Sequence, residues 1–196
     1  MTTALWYVGR GSGVVSLLLL TVVMVLGVGS RSGRPAFGLP RFGVVALHRT
    51  ASLLSVVFLA IHVVTLTLDP QAELRLVDLV LPFDAATRPL WTGLGTVGLD
   101  LTVAIVVTSL LRHRIGRRAW RAVHWLAYLS WPVAVAHTLG TGTDRSTWWL
   151  LALTLVCAVA VAAALVWRAG AEFGRPRASL PAVPPVPPVR QREAVR

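Results

Sequence analysis

The chain has 196 residues, of which 55% are hydrophobic and 14% charged, with a mean hydropathy of +0.69. A soluble domain carries about 25% charged residues, so this composition excludes an ordinary soluble domain and points to a polytopic membrane protein. Net charge is +11 and all 19 basic residues are arginine; they lie between apolar runs and in the tail, which assigns them to topology and anionic head groups rather than to nucleic acid.

Taken in chain order, the apolar runs predict five transmembrane helices in an all-α bundle, each close to the roughly 20 residues that cross a bilayer. The first covers about residues 13–28. It is long for a signal peptide and no Ala-x-Ala site follows it, so it reads as a helix. The second covers about 43–67 and carries His48 and His62. The third covers about 91–111, with Asp100 near its middle. The fourth covers about 120–139 and carries His124 and His137. The fifth covers about 148–167 and holds the single cysteine, Cys157, which reads as a small buried hydrophobe. Trp91, Trp120, Trp148 and Trp167 fall near span ends, where interfacial aromatics belong. Residues 1–168 form one membrane domain. Residues 169–196 form a Pro/Arg-rich tail whose Pro-Val-Pro-Pro stretch favours polyproline II or disorder.

Arginine counts set an orientation. Fourteen lie in the loops after spans 1 and 3 and in the tail; Arg10, Arg75, Arg88 and Arg145 lie on the other side, and Arg49 lies inside span 2. The basic side is expected to be cytoplasmic, with the N-terminus outside and the C-terminus inside. Spans 2 and 4 then run parallel. His48 and His124 share the inner level, and His62 and His137 the outer.

Histidines are costly at membrane depth and call for partners. Neutral imidazole is a good axial ligand for haem iron. The fourteen residues from His48 to His62 rise about 21 Å on a helix, and the thirteen from His124 to His137 about 19.5 Å. Those heights suit one haem in each leaflet. The angular relation is uneven: His62 returns to within about 40° of His48, while His137 falls about 140° from His124 on an ideal helix. His137 is therefore the less secure ligand by phase, and Pro132, between the two, is expected to disturb the winding. With no Cys-x-x-Cys-His motif, any haem is expected to be non-covalent.

Other residues fall into place around this ladder. Arg49 directly follows His48 and is an expensive charge inside a span, so it is a candidate partner for an inner haem propionate, with Arg41 and Arg121 nearby. Thr141, Thr143 and Arg145 are weaker candidates at the outer level. Asp100 is expected to pair with an arginine, bond a histidine or face a water-lined gap. Phe58 and Trp131 lie between the histidine levels and read as core packing. His113, among arginines beyond span 3, reads as interfacial.

The two spaced pairs, with the segment RRAWRAVHWLAYLSWPVAVAHTLGTGTD and the preceding TSLLRHRIGRRAW, resemble the ferric reductase-like transmembrane domain. That family includes the NADPH oxidases, the ferric reductases and the membrane haem subunit of the bacterial periplasmic methionine sulfoxide reductase; the resemblance covers about residues 5–168, and the segment from Arg117 is similar to the bacterial members. The resemblance implies two haems b, with His48 and His124 ligating the inner and His62 and His137 the outer. It implies a b-type cytochrome of the bacterial cytoplasmic membrane, the electron-transfer component of an oxidoreductase, with no catalytic residue of its own. Electrons would pass outward to ferric iron, a flavoprotein or a methionine sulfoxide reductase partner. The chain departs from the family in showing five spans where many members have six. It also has no G-x-G-x-x-G after a strand, and the 28 residues of the tail are too few for a Rossmann unit. Flavin is therefore expected only on a separate donor, which is a flavoprotein or a quinol. The rival reading is a non-redox transporter or assembly subunit that uses Asp100 and the histidines as a proton or metal path.

Overall fold

The computed structural model describes residues 2–32, 35–141 and 147–170. Among them it has six helices and no strand: α1 (Thr2–Arg31), α2 (Arg41–Leu68), α3 (Pro89–Leu110), α4 (Arg112–His124), α5 (Ala127–Thr141) and α6 (Trp148–Ala169). Two short 3₁₀ turns, Pro70–Ala72 and Leu76–Leu79, lie between α2 and α3. Thr143 and Arg145, and all of the tail beyond residue 170, lie outside the described residues.

Four helices, α1, α2, α3 and α6, are long and apolar enough to cross a membrane. The fourth expected span is the difference. It is divided between the end of α4 and α5, and among the described residues α5 alone has 15, short of the ~20 that span a bilayer as helix. The division has a physical cause in the sequence. Residues 112–124 carry five arginines, and Gly116 (φ 81°) breaks their helical winding, so α4 is a kinked, polar segment that belongs at an interface. The wholly apolar character needed to continue inward begins only after it.

The bundle is built from two antiparallel hairpins. In the first, α1 pairs with α2 through a turn that needs positive φ at Phe37 (56°) and Gly38 (72°). Leu26, Ala36, Val44 and Ala51 form a small core beneath that turn, with Val23 and Leu39 against it. In the second, α3 pairs with α5, and α4 makes the return. Helices α5 and α6 both rest on α1. By contrast α2 packs closely on α1 alone among the long helices and scarcely meets α5. Much of α2 and α6 is exposed and apolar, including Leu53, Val57, Val64, Leu155, Val159 and Val166, as lipid-facing surface should be. Hydroxyls within the helices are satisfied by carbonyls one turn back, as with Thr21 to Leu17 (2.9 Å) and Thr154 to Leu150 (2.8 Å).

Candidate functional site: two levels of histidine

His62 on α2 and His137 on α5 face one another across the space where those two helices hardly pack. Their ring centroids are 6.4 Å apart and their planes meet at 83°. Each ring is held from behind by a neighbouring helix. The Nδ1 of His62 donates to the Gly9 carbonyl of α1 at 2.7 Å, and the Nδ1 of His137 donates to the Trp91 carbonyl of α3 at 2.8 Å. A carbonyl only accepts, so the ring proton sits on Nδ1 and the Nε2 lone pair is left free.

The second level lies towards the arginine-rich end. His48 donates from Nδ1 to the Val23 carbonyl of α1 at 3.0 Å. His124 is the last residue of α4. It stacks on Trp120 at 5.0 Å and 26°, and the Trp120 indole donates to Ser109 of α3 at 3.2 Å. The Nδ1 of His124 is buried and has no hydrogen-bond partner. The phase of an ideal helix marks His137 as the less secure ligand; the structure gives His137 a backbone anchor and leaves His124 without one.

The winding between His124 and His137 reduces the angular mismatch between them. Leu126, Tyr128 and Leu129 donate to carbonyls three residues back, those of Val123, Trp125 and Leu126. Such 3₁₀ turns advance roughly 120° per residue against about 100° in an α-helix, so four such steps recover about 80° of the 140° mismatch. Pro132 lies inside the continuous α5, and the tightened stretch ends beside Tyr128, whose carbonyl a residue with an N–H at position 132 would otherwise occupy. The rewinding therefore lies before the proline.

Several arginines have roles that counting them for topology does not reveal. The guanidinium of Arg31 lies over Trp125 (5.4 Å), and that of Arg168 lies over both Trp125 (4.7 Å) and Tyr128 (5.2 Å). Arg168 also donates to the Tyr128 hydroxyl. The ends of α1 and α6 thus clamp the rewound junction beside His124. Arg88 donates to the carbonyls of Gly140 (3.3 Å) and Thr141 (3.0 Å), a cation at the C-terminus of α5. The signal for these contacts in the sequence is an arginine or tryptophan near the span ends.

The remaining expected residues are dispersed. Arg49 is exposed and lines an open hollow on the outer side of α2 with Arg41, Phe42, Val45, Ala46 and Thr50. Arg121 is exposed on α4. Thr141 donates its hydroxyl to the His137 carbonyl at 2.7 Å. Asp100 is exposed at mid-α3 and makes no ion pair with a described residue. Trp131 does more than pack: its indole donates to Thr21 at 2.9 Å and ties α5 to α1 between the two histidine levels. Phe58 is half-buried, His113 is exposed, and Cys157 is buried on α6.

The fold defines an integral membrane protein, a helical bundle in which His62 and His137 face one another, with His48 and His124 nearer the arginine-rich end. The family model of the ferric reductase like transmembrane component matches residues 12–135. That is well over half of the chain, and the chain belongs to this family. The matched stretch includes His48, His62 and His124 and stops two residues before His137. No curated protein and no solved structure matches the chain. The family identifies a membrane electron-transfer component that works with separate redox partners.

Proposed function

We propose that this chain is a b-type cytochrome that carries electrons across the bacterial cytoplasmic membrane through two haems, one between His62 and His137 and one between His48 and His124. The observation that carries the reading is the facing of His62 and His137. Two imidazoles bound on opposite sides of one metal, each through a nitrogen about 2 Å from it, have ring centres about 6 Å apart; here they are 6.4 Å apart. Both Nε2 atoms are bare and both Nδ1 atoms are engaged by carbonyls, the arrangement that orients metal-ligating histidines and raises their basicity. The donor set fits in kind as well. Among the described residues no three His, Cys, Asp or Glu side chains converge, so the ligands come in twos. That suits an iron whose other four positions are filled by a macrocycle, and suits a bare ion poorly.

When bound, the haem groups supply reversible one-electron chemistry. The protein binds them, holds the tautomers of His48, His62 and His137 through helix carbonyls and excludes water with apolar helix faces. The arginine-rich end is the cytoplasmic side in this reading, and the donor there is a separate flavoprotein or quinol. The acceptor on the other side is ferric iron, a flavoprotein or a methionine sulfoxide reductase partner. The test is the spectrum of the purified full chain. A Soret band, split visible bands on dithionite reduction and two haems b per chain by pyridine haemochrome are expected. Colourless protein after expression with haem supplied would overturn the reading, and one haem per chain would leave only one of the two levels as a site.

A further inference from the structure

We infer that Gly13, Gly27 and Gly95 are positioning residues, each clearing the space through which one imidazole reaches a main-chain carbonyl. The inference rests on the histidine-ligand reading above. Three of the four imidazoles show one repeated arrangement. His62 bonds the carbonyl of Gly9, and its ring lies against Gly13. His48 bonds the carbonyl of Val23, and its ring lies against Gly27. His137 bonds the carbonyl of Trp91, and its ring lies against Gly95. In every case the glycine follows the accepting carbonyl by four residues on the same helix.

That spacing has a reason. In an α-helix the carbonyl of residue i accepts from the N–H of residue i+4, so the side chain at i+4 stands beside the carbonyl's second lone pair. An imidazole that comes in as an extra donor must pass over that position. A Cβ placed at Gly95 would be 2.5 Å from His137 Cε1 and 2.7 Å from its Nδ1; at Gly13 it would be 2.8 Å from both atoms of His62; at Gly27 it would be 3.3 Å from His48 Cε1. The first two are impossible contacts and the third is tight, so an alanine pushes the ring away from its carbonyl. The freed imidazole then loses the bond that keeps the proton on Nδ1 and Nε2 bare. His124 has no such notch, and its Nδ1 is the one without a partner.

The experiment compares Gly95→Ala, Gly13→Ala and Gly27→Ala with Gly98→Ala in the full chain. A Cβ at Gly98 meets only Val133, at an ordinary 3.7 Å. Haem stoichiometry and the electron paramagnetic resonance of each ferric haem are read, with ¹⁵N-histidine spectra of the protein in bilayers reporting the tautomer. Gly95→Ala and Gly13→Ala should each weaken haem binding at the His62–His137 level by about 10-fold or more, the usual scale for a lost partner behind a ligating histidine. Both should change the ferric signal of that haem alone and remove one Nδ1–H resonance. Gly27→Ala should alter the other haem, and by less; Gly98→Ala should alter neither. If the three variants match Gly98→Ala in signal and tautomer while wild type holds two haems, the positioning role is wrong and the haem reading stands. If wild type holds no haem, the haem reading fails, and the nitrogen spectra still decide: loss of the matching Nδ1–H state supports the glycine role and its retention overturns it. Should the tightest variants fail to accumulate, Gly27→Ala, with the mildest contact, decides by the same comparison.

Discussion

The two histidine levels are built differently. At the His62–His137 level both rings are anchored from behind by helix carbonyls and seated on glycines. At the His48–His124 level one ring has that support. The other stands at a helix end with a buried, unpartnered Nδ1, a condition that costs roughly 1–3 kcal/mol, and it relies on stacking against Trp120 and on the arginine clamp at Trp125. Continuous helix backbone thus preorganises the first level, while side-chain packing around a junction holds the second. The first should be rigid and tolerant of change in its surroundings, the second adjustable.

The largest effects come from the ligands themselves. His62→Ala and His137→Ala should each remove the same haem and leave the other spectrum intact. The double variant should lose no more than either single one, because a shared site fails as a unit. His48→Ala and His124→Ala should behave alike at the second level. Haem losses that add within a pair would break the pairing. Exogenous imidazole should restore His124→Gly more readily than His137→Gly, since His124 makes no backbone hydrogen bond that a free imidazole fails to match.

Next in size is the clamp. Arg168→Ala removes two cation–π contacts and the hydrogen bond to Tyr128; cation–π contacts contribute about 0.5–2 kcal/mol each. We expect partial loss or a shifted spectrum of the His48–His124 haem only. An equal change at both levels would mean that Arg168 supports the whole bundle. Pro132→Ala should have a smaller effect. It returns an N–H to the Tyr128 carbonyl and favours ordinary α-winding. Because His137 is anchored and His124 is not, the strain should fall on His124. A change confined to the His62–His137 signal would reverse that assignment.

The sequence made the bundle and the ladder visible because both rest on local physics. Apolar runs of membrane length, interfacial tryptophans and the cost of histidine at depth are properties of short segments. What stayed hidden depends on register between segments. No pattern within span 4 showed that it would overwind over residues 123–129, where Arg31 and Arg168 from distant helix ends lie against Trp125. Arg49 reads from the sequence as a charge inside a span and a candidate propionate partner; it is exposed on α2, where an adjacent residue points about 100° away from His48. Gly13, Gly27 and Gly95 carried a readable spacing from the residues whose carbonyls they flank, but only the pairing of α1 with α2 and of α3 with α5 gives that spacing meaning.

The smallest expected effect lies outside the membrane and tests whether the first level owes its rigidity to helix backbone or to the loop above it. Between α2 and α3, Arg75 forks onto Asp78 (2.5 Å to Oδ1) and Asp84 (2.9 Å). Asp78 is 1% exposed, and its backbone carbonyl accepts from Thr96 of α3 at 2.6 Å. The hydrogen bond from the Arg75 side chain, with the Arg75 main-chain N–H and the guanidinium charge, holds the Asp78 carboxyl below its usual range, against the burial that would raise it. A depressed carboxylate stabilises the fold above its unfolded pKa of about 3.9, and that contribution disappears as pH falls through the lower folded value. Amide exchange over residues 75–84, corrected for intrinsic rates, should therefore stay slow from neutral to mildly acidic pH and rise only in strong acid. Asp78→Asn should raise it at all pH values and flatten the profile. Thr96 adjoins Gly95, so Asp78 is linked to His137 through one turn of α3, and the haem spectrum should barely move. If Asp78→Asn disturbs that spectrum as much as Gly95→Ala does, the loop rather than the Trp91 carbonyl is what holds His137 in place.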